Sequence, residues 1–229
     1  MTAAKMDKRD LEQPDAFQEA FGKVVDYIRE NRQKIYLAAG GVTLAIVLAA
    51  GYLLYSAHTE TEASKAYFDA KLKVMMADPM GTGFAAPEAV KALEQVVEKY
   101  ASTDASQNAR YELANLYFNA GDYDRSMQTY RAFLDRADSK DLRKIYAWLG
   151  VGYAHEAKKE YDKALEAFTR VVDSKPGNVH EGIGYRNIAR IYEEMNDRGK
   201  ALDYYRKALE KTKEPASAAI LKRKIAQLG

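Results

Sequence analysis

Twenty-one consecutive residues, Ile35 to Tyr55, read IYLAAGGVTLAIVLAAGYLLY and carry no charge. As an α-helix rising about 1.5 Å per residue, the run is about 31 Å long, the thickness of a bilayer's hydrocarbon core. In that solvent only a helix or a closed barrel satisfies its own backbone hydrogen bonds, so the run predicts a membrane-spanning helix. The alternative is a buried core helix, but soluble helices seldom run this long without a charge.

The flanks predict an orientation. Lys23, Arg29, Arg32 and Lys34 precede the run closely, whereas only Lys65 is basic in the fifteen residues after it. Lys/Arg excess stays in the cytoplasm, which places the N-terminus inside and the C-terminal part across the membrane. The lead is long and mixed in charge, and Tyr55-Ser56-Ala57 is a poor cleavage signal, so the expectation is an uncleaved anchor. Tyr36, Tyr52 and Tyr55 lie near its ends, where amphipathic rings favour the interface. Gly41, Ala45 and Ala49 form a small-xxx-small row that would admit a partner helix. Small residues are also simply common in spanning helices. The chain thus divides into a lead (1–34), a span (35–55) and a body (56–229).

Composition narrows what the body does. Of the 229 residues, 47% are hydrophobic and 30% charged, which argues for a folded domain rather than disorder. The net charge of +2 gives no reason to expect nucleic acid as a partner. No cysteine is present, which removes disulfides, thiolate catalysis and cysteine-ligated metals.

In the lead, the first dozen residues are polar and read as disordered. Pro14-Asp15 opens a helical pattern with Phe17, Phe21, Val24, Val25 and Ile28 on one face. The other face mixes Glu19, Lys23, Asp26, Arg29 and Glu30, which suits docking on a partner slightly better than adhesion to anionic lipid. Nothing obvious stops this helix from running into the span.

After the span, apolar spacing predicts a helix from about Glu60 to Asp78. The run 79–83 breaks it, and a second helix opens at Pro87. Three segments then line up. Tyr117 precedes Tyr130 by thirteen residues, His155 precedes Phe168 by thirteen, and Tyr192 precedes Tyr205 by thirteen. Small residues recur at Ala114, Gly152 and Ala189, and again at Ser126, Ala164 and Ala201. They let two helices approach, while large aromatics fill the space beside them. Pro215 opens a last helix whose Leu221, Ile225 and Leu228 would cover the end of the stack, with Lys222, Arg223 and Lys224 facing water. The run from Trp148 to His155, followed by Ala164, Phe168 and Pro176, resembles the tetratricopeptide repeat. It departs at His155, where Tyr is usual, and its pitch of 37–38 residues exceeds the usual 34. The fold class expected is all-α: one transmembrane helix, then a tetratricopeptide-type solenoid of about four hairpins with a C-terminal capping helix.

No catalytic constellation can be found. His58, His155 and His180 are too far apart for a helical metal pair, and His155 falls on a core position. Gly81-Thr82-Gly83 lacks the Gly-Lys of a phosphate loop. No cofactor, metal or enzymatic activity is expected. The first helix of each hairpin lines the concave side in tetratricopeptide folds. That register places Asn108, Tyr111, Asn115, Phe118, Asn119, Tyr146, Leu149, Tyr153, Arg186 and Arg190 on the wall. Rings and amides suit an extended protein segment, and Arg186 with Arg190 suits a carboxylate. An unused, solvated wall is the plain alternative.

The layout resembles the ancillary SecYEG translocon subunit (YfgM-like) family of bacterial inner membranes. That resemblance implies a periplasmic body working with the Sec translocon and periplasmic chaperones on emerging proteins, and it brings no catalytic residues. The alternative is an assembly scaffold for another envelope machine, for secretion, polysaccharide export or cell-wall synthesis. A reporter fused after Gly229 is expected to be active only outside the cytoplasm; cytoplasmic activity would overturn the predicted orientation.

Overall fold

In the computed structural model, residues 16–80, 83, 86–174 and 180–229 are described, with side chains from residue 19 onward. The opening dozen residues that the sequence reads as disordered, Phe17, Pro176 and residues 81, 82, 84 and 85 therefore lie outside the side chains described. Among the described residues, ten α-helices follow one another: α1 (Ala16–Glu30), α2 (Arg32–Ala77), α3 (Pro87–Lys99), α4 (Asp104–Asn119), α5 (Tyr123–Leu134), α6 (Arg143–Ala157), α7 (Tyr161–Asp173), α8 (Glu181–Glu194), α9 (Arg198–Lys211) and α10 (Pro215–Leu228). The fold is all-helical, as the spacing predicts. Two compact units divide the chain after Ala57.

The first unit holds α1 and the opening of α2. Only Asn31 separates these helices, and the i→i−4 bonds run on through it: Asn31 N to Tyr27 O and Ile35 N to Asn31 O, each 3.0 Å. Phe21, Val24 and Ile28 leave the apolar face of α1 exposed. No residue from 35 to 55 is buried, and the apolar stretch of α2 has a mean hydropathy of 2.1. Within this chain the stretch is therefore not packed as a core helix would be. A Cβ built on Gly41 meets nothing within 4 Å, so the face carrying Gly41, Ala45 and Ala49 is open to a neighbour.

The second unit begins within α2, whose sequence-predicted start near Glu60 is not a helix start at all. Ala63 and Ala70 are buried, and Ala70 packs with Leu93 and Val96 of α3 and with Ala109 and Leu113 of α4. Polar bonds add to this contact. Tyr67 donates to Glu112 at 2.7 Å and Lys71 pairs with the same carboxylate at 2.8 Å. Glu60 accepts from the N–H groups of Asp104 and Ala105 at 2.9 and 3.0 Å, capping α4 from a neighbouring helix. Thr103 caps the same helix through Ser106 N.

Three hairpins follow: α4 with α5, α6 with α7, and α8 with α9. The small positions do what the spacing demands. Ala114, Ser126, Ala164, Ala189 and Ala201 are fully buried, and Ser126 Oγ donates to Ala114 O at 2.9 Å. A Cβ on Gly152 would stand 2.4 Å from the Phe168 ring, so no larger residue fits without displacing it. Tyr130, Phe168 and Tyr205, the thirteenth-residue rings, are all buried. In α10, Leu221 is buried against Tyr205 and Ala208, and Ile225 and Leu228 pack beside it. Lys224 does not simply face water, since it pairs with Glu193 at 3.0 Å. Arg198 binds the carbonyls of Gln227 and Leu228 and so fastens the end of the cap.

The three hairpin turns share one geometry. Gly121, Lys159 and Asn196 have φ of 76°, 59° and 60°. The next N–H reaches back to the residue five before it, Asp122 to Tyr117, Glu160 to His155 and Asp197 to Tyr192, each at 2.9 Å. This is the Schellman closure, with one left-handed residue ending the helix. Asp122 and Asp197 then cap the second helix of their hairpins. Glycine and asparagine tolerate that conformation, but a lysine pays a steric penalty. Lys159→Gly is expected to raise unfolding stability by about 0.5–1 kcal/mol in a urea titration. A loss of stability would show that the lysine stem contributes more than the turn costs.

Candidate functional site

The first helices of the three hairpins, α4, α6 and α8, each contribute side chains to an open concavity of about 550 Å³. Its lining includes Phe118 of α4, Tyr153 and Glu156 of α6, Tyr161 at the start of α7, and Arg190 and Glu194 of α8. The repeat register thus brings together Phe118, Tyr153 and Arg190 from the predicted wall. Glu156, Lys159, Tyr161 and Glu194 also line it and escape a reading confined to first-helix aromatics and amides. Lys159 and Tyr161 belong to the hairpin turn and the second helix, and only the Schellman closure carries them to the groove.

Much of the wall is held by bonds between successive repeats. Asn108 accepts from Arg143 Nη1 at 2.5 Å, and Arg143 is itself clamped by Asp141. Asn115 accepts from the Tyr130 hydroxyl at 2.5 Å, and Tyr111 packs on Phe133 with ring centres 5.4 Å apart. Asn187 donates to the Tyr153 hydroxyl at 3.0 Å, and Tyr153 meets Phe168 edge-on at 5.4 Å. Arg190 pairs with Glu156 and lies 5.6 Å from the Tyr153 ring centre. Phe118 rests on Tyr123, and Asn119 donates to Gly83 O at 3.1 Å. Tyr146, 45% exposed, stacks edge-on with His180 at 5.1 Å.

Two details of the predicted wall change. Leu149 is buried with Phe168 of α7 and Ile188 of α8 rather than facing the groove, because these neighbouring apolar side chains cluster around it. Arg186 and Arg190 do not share one site: Arg190 is taken up by Glu156, while exposed Arg186 lines a separate cavity of about 400 Å³ with Glu181, Lys211 and Leu221. The groove is therefore a set of rings fixed by hydrogen bonds, with its one arginine already neutralised. Such a wall suits apolar side chains and backbone amides of an extended segment better than a carboxylate.

Titratable groups follow the same pattern. Tyr67 and Tyr117 are pushed up to about 12, first by burial and next by hydrogen bonds to Glu112 and Glu94. His155, 4% exposed, meets Glu160 through Nδ1 at 2.6 Å and approaches the Arg131 guanidinium through Nε2 at 3.3 Å. The histidine is thus a packed repeat residue, joining α5, α6 and the turn into α7. Among the described residues no cluster of three His, Asp or Glu could hold a metal ion.

Stacked hairpins with small-residue contacts, Schellman turns and a ring-lined inner wall define a helical-repeat protein of the protein-interaction type. The chain belongs to the tetratricopeptide repeat-like domain family, whose model matches residues 26–229. Photosystem I assembly protein Ycf3 of Prochlorococcus marinus is 32% identical over 75 residues, which make up 32% of this chain; the chain spans 43% of that protein. Among solved structures, the tetratricopeptide-like repeats of a kinesin light chain of Podosopora anserina, described as putative, superpose with a TM-score of 0.56 at 17% identity, covering 72% of this chain and 85% of that one. This likeness shows the fold alone.

Glu160 carries a testable consequence. The His155 hydrogen bond, followed by the one to Lys163, holds its carboxyl below the ordinary value of 4.5. A carboxylate so lowered adds stability that is complete above the unfolded-state value and is lost as pH falls through the folded one. Glu160→Gln is expected to lower thermal stability at pH 7, with the gap from the parent closing below pH 4.5. A gap independent of pH would show that shape, not charge, matters there.

Proposed function

We propose that this chain is a single-pass anchored scaffold that holds extended protein segments at the periplasmic face of a bacterial inner membrane, beside the Sec translocon and periplasmic chaperones. The observation that carries the anchor is a 21-residue uncharged stretch, none of it buried, with basic residues on its N-terminal side. The groove of Phe118, Tyr153 and Tyr161 supports the holding role, because fixed rings take apolar side chains at low entropic cost. The face of Gly41, Ala45 and Ala49 is the proposed contact for another spanning helix. The activity is non-catalytic: the domain presents surfaces and does not turn over a substrate.

A second reading has its own support. The matched relative is named as an assembly protein, which favours a scaffold that builds one particular envelope complex. Photo-crosslinking residues placed at Phe118 and Tyr161 in cells separate the two. Translocon subunits and many emerging chains are expected from the first reading, and the subunits of one stable complex from the second. Adducts formed only by controls on the outer face of α9 would reject the groove in either case.

A further inference from the structure

One of the three hairpin turns ends on a residue that its geometry does not favour. Gly121 and Asn196 hold the left-handed position in two of them, and Lys159 holds it in the third, at φ 59°. Glycine has no Cβ to clash with the backbone there, asparagine tolerates the conformation, and lysine has neither advantage. Strain of this kind collects at binding sites. The turn itself makes no use of the lysine stem. Its closing bonds are main-chain bonds, from Lys159 N to Glu156 O at 2.8 Å and from Glu160 N to His155 O at 2.9 Å.

The carboxylates nearest to Lys159 in sequence are committed elsewhere. Glu156 pairs with Arg190, and Glu160 with His155 and Lys163. The adjacent Lys158 meets Asp124. Among the described residues no carboxylate pairs with Lys159. Its side chain is exposed, and it lines the concavity of about 550 Å³ together with Phe118, Tyr153 and Tyr161. The first-helix wall offers rings and an arginine already neutralised, so the turn supplies the cation that the wall lacks. Glu194 also lines the groove and repels a run of acidic residues, whereas a single acid is matched by the single lysine.

We propose that Lys159 is the specificity-determining residue of the groove, and that it selects extended segments carrying one Asp or Glu beside apolar side chains. The inference rests on the groove being the binding surface for such segments. The rings take the apolar groups. The ammonium takes the carboxylate as a point charge on a flexible stem. An exposed pair of this kind adds little affinity, and its effect is discrimination: a segment with Lys in place of the acid meets a like charge.

The test uses the full-length chain in phosphatidylcholine nanodiscs and three short fluorescent peptides, alike except for Asp, Ser or Lys between two phenylalanines. Fluorescence anisotropy is expected to rank them Asp, Ser, Lys, from tightest to weakest. Lys159→Gly is expected to weaken the Asp peptide about threefold and leave the Ser peptide unchanged, while Lys159→Arg keeps the ranking. Because glycine relieves the turn, a lost preference in that variant does not come from unfolding, and a thermal melt of the same sample checks this. Equal binding of all three peptides, each weakened by Phe118→Ala, overturns the role of Lys159 and leaves the groove standing. An Asp preference that survives Lys159→Gly also overturns it. Binding of no peptide, or binding that Phe118→Ala leaves unchanged, removes the groove itself and this inference with it.

Discussion

Close helix approach at one small residue per helix is the contact on which the repeat body depends. Where Ala114, Gly152 and Ala189 face Ser126, Ala164 and Ala201, backbones come near enough for a ring to close the gap on each side. Dispersion falls steeply with distance, so a large side chain at these sites would forfeit contacts along the whole hairpin. Phe168 against Gly152 shows the tightness: there is no space for even a methyl group. The hairpins then depend on one another, because each buries its rings only against the next. Met127, Ile145, Val151 and Ile191 are buried in this way.

Polar groups set the order of the stack. The same surface that a repeat protein offers to a partner is crossed here by Asn108–Arg143, Asn115–Tyr130, Asn187–Tyr153 and Glu156–Arg190. These bonds satisfy amides and hydroxyls that would otherwise be costly to half-bury. They also fix ring orientation before any segment arrives, which lowers the entropic cost of binding. Of the two arginines that the spacing offers to a ligand, Arg190 is taken up by Glu156 inside the protein, and the groove presents rings together with Lys159 and Glu194.

Both ends of the repeat body are finished in different ways. At the C-terminal end, α10 buries Leu221 and is tied down by Arg198 and by the Glu193–Lys224 pair. At the N-terminal end the covering helix is the continuation of α2, whose Glu60, Tyr67 and Lys71 bond directly to α4. Within the second unit, the part of α2 that carries Glu60, Tyr67 and Lys71 is thus the first layer of the repeat body.

Sequence alone determined the uncharged run, the thirteen-residue spacing of rings and the positions of the small residues. Each is a periodic or compositional signal that a helix imposes on its own chain. From these the class of fold, the hairpin order and the packed role of His155 could be read. Other features depend on residues that are distant in sequence. That Glu60 caps α4, that Leu149 turns inward, that Arg190 is neutralised by Glu156 across 34 residues, and that Lys159 and Tyr161 reach the groove are decided by how hairpins stack. Partner choice for a long charged side chain is settled by whichever opposite charge the tertiary fold brings within a few ångströms, and local periodicity carries no record of that distance.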